Sequence, residues 1–147
     1  MDQIESSSTQ PISFSDLSPH LTTLILNFSA STKISLNRCQ LLLPNLKNLI
    51  LTNCDLMQRG LQDLPRSLVT FKLAKSTGIK DIDLQDLPEG LTSLTLSECS
   101  GFSNEIWWYL PKGLKELHII NCDGVTKELI KNLPRNLIVE FGNSKEV

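Results

Sequence analysis

Six of the seven prolines (Pro19, Pro44, Pro65, Pro88, Pro111 and Pro134) lie 25, 21, 23, 23 and 23 residues apart. A period in the twenties obliges the chain to build one small structural unit several times over, and it has to be read before any local feature. The units are LPRSLVTFKLAKS from Leu64, LPEGLTSLTLSEC from Leu87 and LPKGLKELHIINC from Leu110. LPNLKNLILTNC from Leu43 fits with one residue fewer after its proline. The first leucines of these motifs (Leu21, Leu46, Leu68, Leu91, Leu114 and Leu137) step by 25, 22, 23, 23 and 23 residues.

Leucine supplies 27 of the 147 residues, against five Phe, two Trp and one Tyr. Such chains are usually long helices, coiled coils or repeats, and the prolines and missing heptad argue against the first two. Within each unit, apolar residues two apart alternate with variable ones: Leu49 and Leu51, Phe71 and Leu73, Leu94 and Leu96, Leu117 and Ile119. That is the period of a strand with one buried face. A short strand cannot bury that face alone, so successive units must stack into a parallel sheet. Six units at a strand spacing of about 4.8 Å give a stack about 29 Å long.

The pattern L-x-x-L-x-L-x-x-N/C over residues 17–143 resembles the leucine-rich repeat family. The position after each strand reads Ser29, Cys54, Ser76, Cys99 and Cys122, which is similar to cysteine-containing repeats, and Cys122-Asp-Gly-Val-Thr-Lys-Glu-Leu-Ile is especially close. The LPxxLxxLxL opening resembles repeats of effectors that intracellular bacteria of the Legionella kind deliver into host cells. The resemblance implies an α/β solenoid, a leucine-rich repeat horseshoe with a parallel concave β-sheet and short helical turns on its convex side.

Between the strands, the ninth residue before each proline is Leu56, Ile79, Phe102 and Val125. The fourth is Leu61, Leu84, Trp107 and Ile130, and the first is Leu64, Leu87, Leu110 and Leu133. All three columns are expected in the core, with short helical turns that each proline stops. Trp108 and Tyr109 replace polar pairs of the other units and are expected to point outward. Ile12 and Phe14 suit an edge segment over the first unit, and Leu137, Val139 and Phe141 alternate inward after a slipped motif. The expected organisation is a tail and cap over 1–16, about six coils over 17–147 and a C-terminal cap near 133–143. Residues 1–10 and 144–147 are expected to be disordered.

Several classes of function find no support. With 14 Lys+Arg against 16 Asp+Glu, the net charge of −2 gives no footprint for nucleic acid or an anionic membrane. No wholly apolar run, Leu41-Leu42-Leu43 included, comes near the length needed to span a bilayer. Met1 to Gln10 carries no basic residue and precedes no apolar core, so the expected location is cytoplasmic where the protein is made, with secretion into a host cytosol left open. No GxSxG, Walker loop or HExxH occurs. Serine standing in for Cys54, Cys99 and Cys122 in other units points to a small buried side chain and away from a metal thiolate. Cys99 and Cys122 fall on adjacent coils, where a disulfide is geometrically conceivable, and Cys39 falls in a loop as a lone exposed thiol. His118 points outward while the ladder cysteines point inward, so no Cys–His pair assembles. The expected protein has no enzymatic activity, metal or cofactor.

The remaining surface is the outward face of the sheet. Its first row is Thr23, Asn48, Thr70, Ser93, Glu116 and Ile138. The middle row is Ile25, Ile50, Lys72, Thr95, His118 and Glu140, and the third is Asn27, Thr52, Ala74, Ser97, Ile120 and Gly142. Ile25, Asn48, Ile50, Lys72, Thr95, Glu116, His118 and Ile120, with Trp108 and Tyr109 at the flank, are the candidate protein-binding residues. The resemblance implies a monomeric interaction module that binds, and can occlude, a bacterial effector enzyme or a host protein. The alternative is the recognition part of a ubiquitin-ligase system, although the 16 residues before Leu17 are too few for an F-box.

Overall fold

The computed structural model describes residues 3–8, 13–57 and 59–143. One all-parallel sheet runs in chain order through β1 (Gln3–Ser8), β2 (Thr23–Ile34), β3 (Asn48–Leu56), β4 (Thr70–Ala74), β5 (Ser93–Ser97), β6 (Glu116–Ile120) and β7 (Ile138–Gly142). The connections carry the short helix α1 (Cys39–Leu42) and 3-10 helices at Phe14–Asp16, Gly60–Asp63, Asp81–Asp86, Asn104–Trp108 and Lys127–Asn132. The arrangement is therefore α/β, with short helices linking parallel neighbours. Leu24, Leu49, Phe71, Leu94, Leu117 and Val139 fall in one line of register, and Leu26, Leu51, Leu73, Leu96, Ile119 and Phe141 in a second. The first five of each line are fully buried, as the two-residue alternation predicts.

Four strand ends share one device. Asn53, Lys75, Glu98 and Asn121 take left-handed backbone angles, with φ of 61°, 51°, 52° and 52°. The next residue in each case, Cys54, Ser76, Cys99 or Cys122, turns inward and is buried. Its hydroxyl or thiol donates to the carbonyl two residues earlier: Ser76 Oγ to Ala74 at 2.7 Å, Cys99 Sγ to Ser97 at 3.3 Å and Cys122 Sγ to Ile120 at 3.7 Å. Cys99 and Cys122 also reach the carbonyls of Leu73 and Leu96 on the preceding strand, at 3.3 and 3.4 Å. The first member of this column is Thr32, not the expected Ser29. Thr32 pairs in register with Cys54 and donates to Ala30 at 2.8 Å, because a register shift between Asn27 and Thr32 carries the exposed Ser29 out of line.

Two residues further on stand Gly78, Gly101 and Gly124, with φ of 93°, 94° and 90°. A Cβ at Gly101 would lie 2.6 Å from the Ile79 carbonyl oxygen, and one at Gly124 2.5 Å from that of Phe102. These positions demand glycine both for the backbone angle and for the close approach of one turn to the next.

The core columns need one correction. Leu56, Ile79, Phe102 and Val125 are buried as expected, and so are Leu61 and Leu84. In the last two units the buried place moves one residue earlier, to Ile106 and Leu129, leaving Trp107 half-buried and Ile130 46% exposed. The corresponding earlier positions are Gly60 and Asp83, which cannot fill an apolar site. Asp83 instead accepts the backbone N–H groups of Lys80 at 2.8 Å and Arg59 at 3.3 Å. Where Ile106 and Leu129 replace them, the apolar side chain takes the inner place and its neighbour rotates outward. Leu64 and Leu87 are buried, whereas Leu110 and Leu133 near the last strand are only half-buried.

The start of the chain also differs from expectation. Residues 3–8 form a strand in parallel register with β2, from Gln3 opposite Thr23 to Ser8 opposite Phe28. The free backbone edge of β2 supplies the hydrogen bonds that this serine-rich segment cannot make alone. Phe14 covers the core as expected, at 5% exposure, but from a 3-10 turn and not an extended segment. Ile12 and residues 144–147 lie outside the described residues.

Leu94→Ala or Leu117→Ala is expected to cost about 2–5 kcal/mol in a denaturant melt, since each leaves a void in a fully packed column. Gly101→Ala is expected to cost more than about 1 kcal/mol through its left-handed angle and carbonyl clash, while Thr95→Ala stays within about 0.5 kcal/mol. A Thr95→Ala loss equal to that of Leu94→Ala would show the register to be wrong.

Candidate functional site

Pleating sends the residues between the core lines to the other face of the sheet, and the register sets them in three rows. Thr23, Asn48, Thr70, Ser93, Glu116 and Ile138 align, as do Ile25, Ile50, Lys72, Thr95, His118 and Glu140. Asn27, Thr52, Ala74, Ser97, Ile120 and Gly142 complete the face. Gln3, Glu5 and Ser7 of β1 extend the rows by register. Over this face runs an open groove of about 630 Å³, lined by Asn48, Ile50, Lys72, Thr95, His118 and Ile120 among others.

The face changes character along its length. At one end Ile25 and Ile50 stand side by side, both partly exposed, and Asn48 Nδ2 donates to Thr23 Oγ1 at 3.2 Å. Small Thr and Ser side chains occupy the centre beside the exposed Lys72. At the far end His118 Nδ1 lies 2.7 Å from Glu140 Oε2, and its Nε2 lies 3.7 Å from Glu116 Oε2. The sheet thus brings together all eight of the predicted face residues. Trp108 and Tyr109 do not join them; they lie in and beside the 3-10 helix Asn104–Trp108.

At that flank Trp107 and Trp108 stack, with ring centroids 4.4 Å apart and planes 26° from parallel. Trp108 is 68% exposed, as predicted, but Tyr109 is half-buried and packs against the core. Trp108, Tyr109 and Lys112 border a depression of about 710 Å³ shared with Gln85 and Glu89.

The thiols serve the interior. All four cysteines are free and buried, including Cys39, which replaces the expected exposed loop thiol. Leu36, Cys39 and Leu43 fall on one inward face around α1, and each is at most 1% exposed. Burial pushes the Cys39 and Cys54 thiols up from 9.0 to about 12, with the Asp63 carboxylate adding to the effect at Cys39. The neighbouring Cys122 thiol together with burial holds the Cys99 thiol in its protonated form. Every buried side-chain nitrogen and oxygen among the described residues has a hydrogen-bond partner. Among the described residues, no group of three or more His, Cys, Asp and Glu side chains is placed to hold a metal ion. No helix among them is long and apolar enough to cross a membrane.

The chain matches no protein-family model and no curated protein sequence. The functional reading therefore rests on the residues of the sheet face and flank.

A pH dependence follows from the raised thiols. The unfolded chain loses these protons near pH 9.0, while folded Cys39 and Cys54 keep theirs to about 12. Stability from these groups is full below pH 9.0 and falls as the pH rises toward 12. Denaturant melts across this range should show a shallower alkaline loss in Cys39→Ser and Cys54→Ser than in wild type. A thiol reagent should label the folded protein slowly and the denatured chain fast; rapid labelling of the folded protein would contradict the buried ladder.

Proposed function

We propose that this chain is a non-catalytic protein-binding module, a leucine-rich repeat solenoid whose outward sheet face receives a partner protein. The observation that carries the reading is the register of the three outward rows. It sets Ile25 and Ile50, Lys72, and the His118–Glu140 pair along one row, behind which the core is already full. Side chains on such a face vary without disturbing the packing beneath. A rigid sheet also loses little conformational entropy on binding. Partly exposed isoleucines beside the exposed Lys72 and a paired carboxylate make a surface with both apolar and charged anchors. Trp108 supplies a second contact at the flank, since exposed tryptophan is among the residues most enriched at binding hot spots. The resemblance to effector repeats makes a bacterial enzyme or a host protein the partner, acted on by occlusion or tethering.

Affinity capture from host lysate and from the producing cell's own proteins would supply the partner for a direct measurement. Ile50→Asp or Lys72→Glu is expected to weaken the purified complex by about 1–2 kcal/mol or more with the melting temperature nearly unchanged. Trp108→Ala weighs the flank against the face: a loss larger than at Ile50 would move the main contact there. An enzymatic partner should lose turnover in proportion to the fraction bound. If all three variants bind as wild type does, the face is not the interface.

A further inference from the structure

The sheet ends on an open apolar strand. Val139 and Phe141 continue the two core lines, yet both are half-exposed where Leu117 and Ile119 before them are fully buried. Leu133 and Leu137 are likewise half-buried, and Ile138 on the other face is 62% exposed. Among the described residues no strand pairs with the far side of β7. The segment Ile138-Val139-Glu140-Phe141-Gly142 has no lysine, proline or inward charge, the devices that usually protect a free edge.

The backbone directions on this strand are fixed by its bonds to β6. Ile138 N–H donates to the Lys115 carbonyl at 2.9 Å, and the Gly142 carbonyl accepts from Asn121 N–H at 2.7 Å. Both polar groups of a strand residue point the same way and alternate along the chain, so those of Val139 and Phe141 point to the open edge. The Leu137 carbonyl points there too, while its N–H turns back to the Pro134 carbonyl at 3.2 Å.

We propose that β7 pairs antiparallel with β7 of a second copy of this chain, about a two-fold axis through Val139. In that register the two Val139 residues exchange both backbone bonds, and each Phe141 N–H reaches the Leu137 carbonyl opposite. Leu137 faces Phe141 and Val139 faces Val139 on the core side, so every core-side pair is apolar. On the outward side Ile138 faces Glu140. An axis through Glu140 uses the same edge groups but sets the two Glu140 carboxylates directly opposite each other, at the closer antiparallel spacing where like charges destabilise. An axis through Phe141 leaves Leu137 and Ile138 opposite residues beyond the strand. The sequence of β7 is thus complementary to itself in one register, which is what an isologous two-fold interface requires. The expectation of a monomer, drawn from the sequence, gives way to a dimer in which two seven-stranded sheets join.

Sedimentation equilibrium of the full chain over a wide concentration range tests this. Wild type should approach twice the chain mass of 16.4 kDa. Val139→Pro removes an N–H that points away from β6 to the open edge, so it should keep its cooperative melt while self-association weakens at least about tenfold. At the exposed Ile138 the signs oppose: Ile138→Lys gains a partner in Glu140 of the second copy and should tighten association several-fold, while Ile138→Glu should weaken it similarly. Lys72→Glu, remote from the edge, should leave association unchanged. A wild-type mass of 16.4 kDa throughout would overturn the proposal, as would undiminished association of Val139→Pro. Equal effects of Ile138→Lys and Ile138→Glu would overturn the Val139 axis.

Discussion

The close approach of one strand end to the next is the constraint on which the rest of the structure depends. After a strand as short as five residues the chain must leave the sheet and return one strand over, always in the same direction. A left-handed residue makes the exit, and the small side chain behind it donates to the carbonyl two residues earlier, which at Ser97 and Ile120 also accepts a backbone N–H from the neighbouring strand end. The glycine that follows lets the turn settle against the preceding one. Lys75 and Glu98 hold left-handed angles without the freedom of glycine, a local cost offset by the burial that follows. Because Cys99 and Cys122 also bond to the preceding strand, the device sets the spacing between turns as well as the turn itself.

Cysteine suits this place for the same reason that serine and threonine do. Each has one donor on a short arm, and the column accepts Thr32, Cys54, Ser76, Cys99 and Cys122 interchangeably. At Cys54 and Cys99 the thiolate is disfavoured, so these sulfurs act as hydrogen-bonding core atoms. The carboxylates Asp81 and Asp83 play the matching part on the other side of the molecule. Asp81 accepts from Ser103 N–H at 2.8 Å, and Asp83 accepts from Arg59, so each holds the start of a return segment in an adjacent unit.

The parallel sheet, its two core lines and the three outward rows were all legible in the sequence, because a period near 23 and an alternation of two leave one register that turns both apolar lines inward. The glycines at 78, 101 and 124 carry the same period and were open to the same reading; they mark the close approach that composition alone does not show. Ser29 was misplaced because the first unit is longer by a few residues, and the extra length is absorbed inside β2 where no proline marks it. The shift from Trp107 and Ile130 to Ile106 and Leu129 was less visible, since both neighbours are apolar in each unit and the pattern alone does not choose between them. β1 was missed because its strand character comes from the edge it joins and not from its own residues.

The two ends of the sheet pose opposite problems. At the first end a strand rich in Ser, Gln and Glu closes the stack, and its polar composition discourages further pairing. At the last end the apolar lines continue into Val139 and Phe141, which cannot be fully buried by the chain before them. Glu140 is the one charged residue of that strand, and its carboxylate is already held by His118 on the outward face. It leaves the strand's edge to its backbone and its apolar neighbours. The proposed binding face and the proposed association edge are compatible on so small a molecule because pleating separates the side chains of the one from the backbone groups of the other. The face uses side chains that point away from the core, whereas the edge uses backbone groups in the plane of the sheet. Lys72 on β4 and Val139 on β7 are separated by two intervening strands, so the effects of substituting them should add.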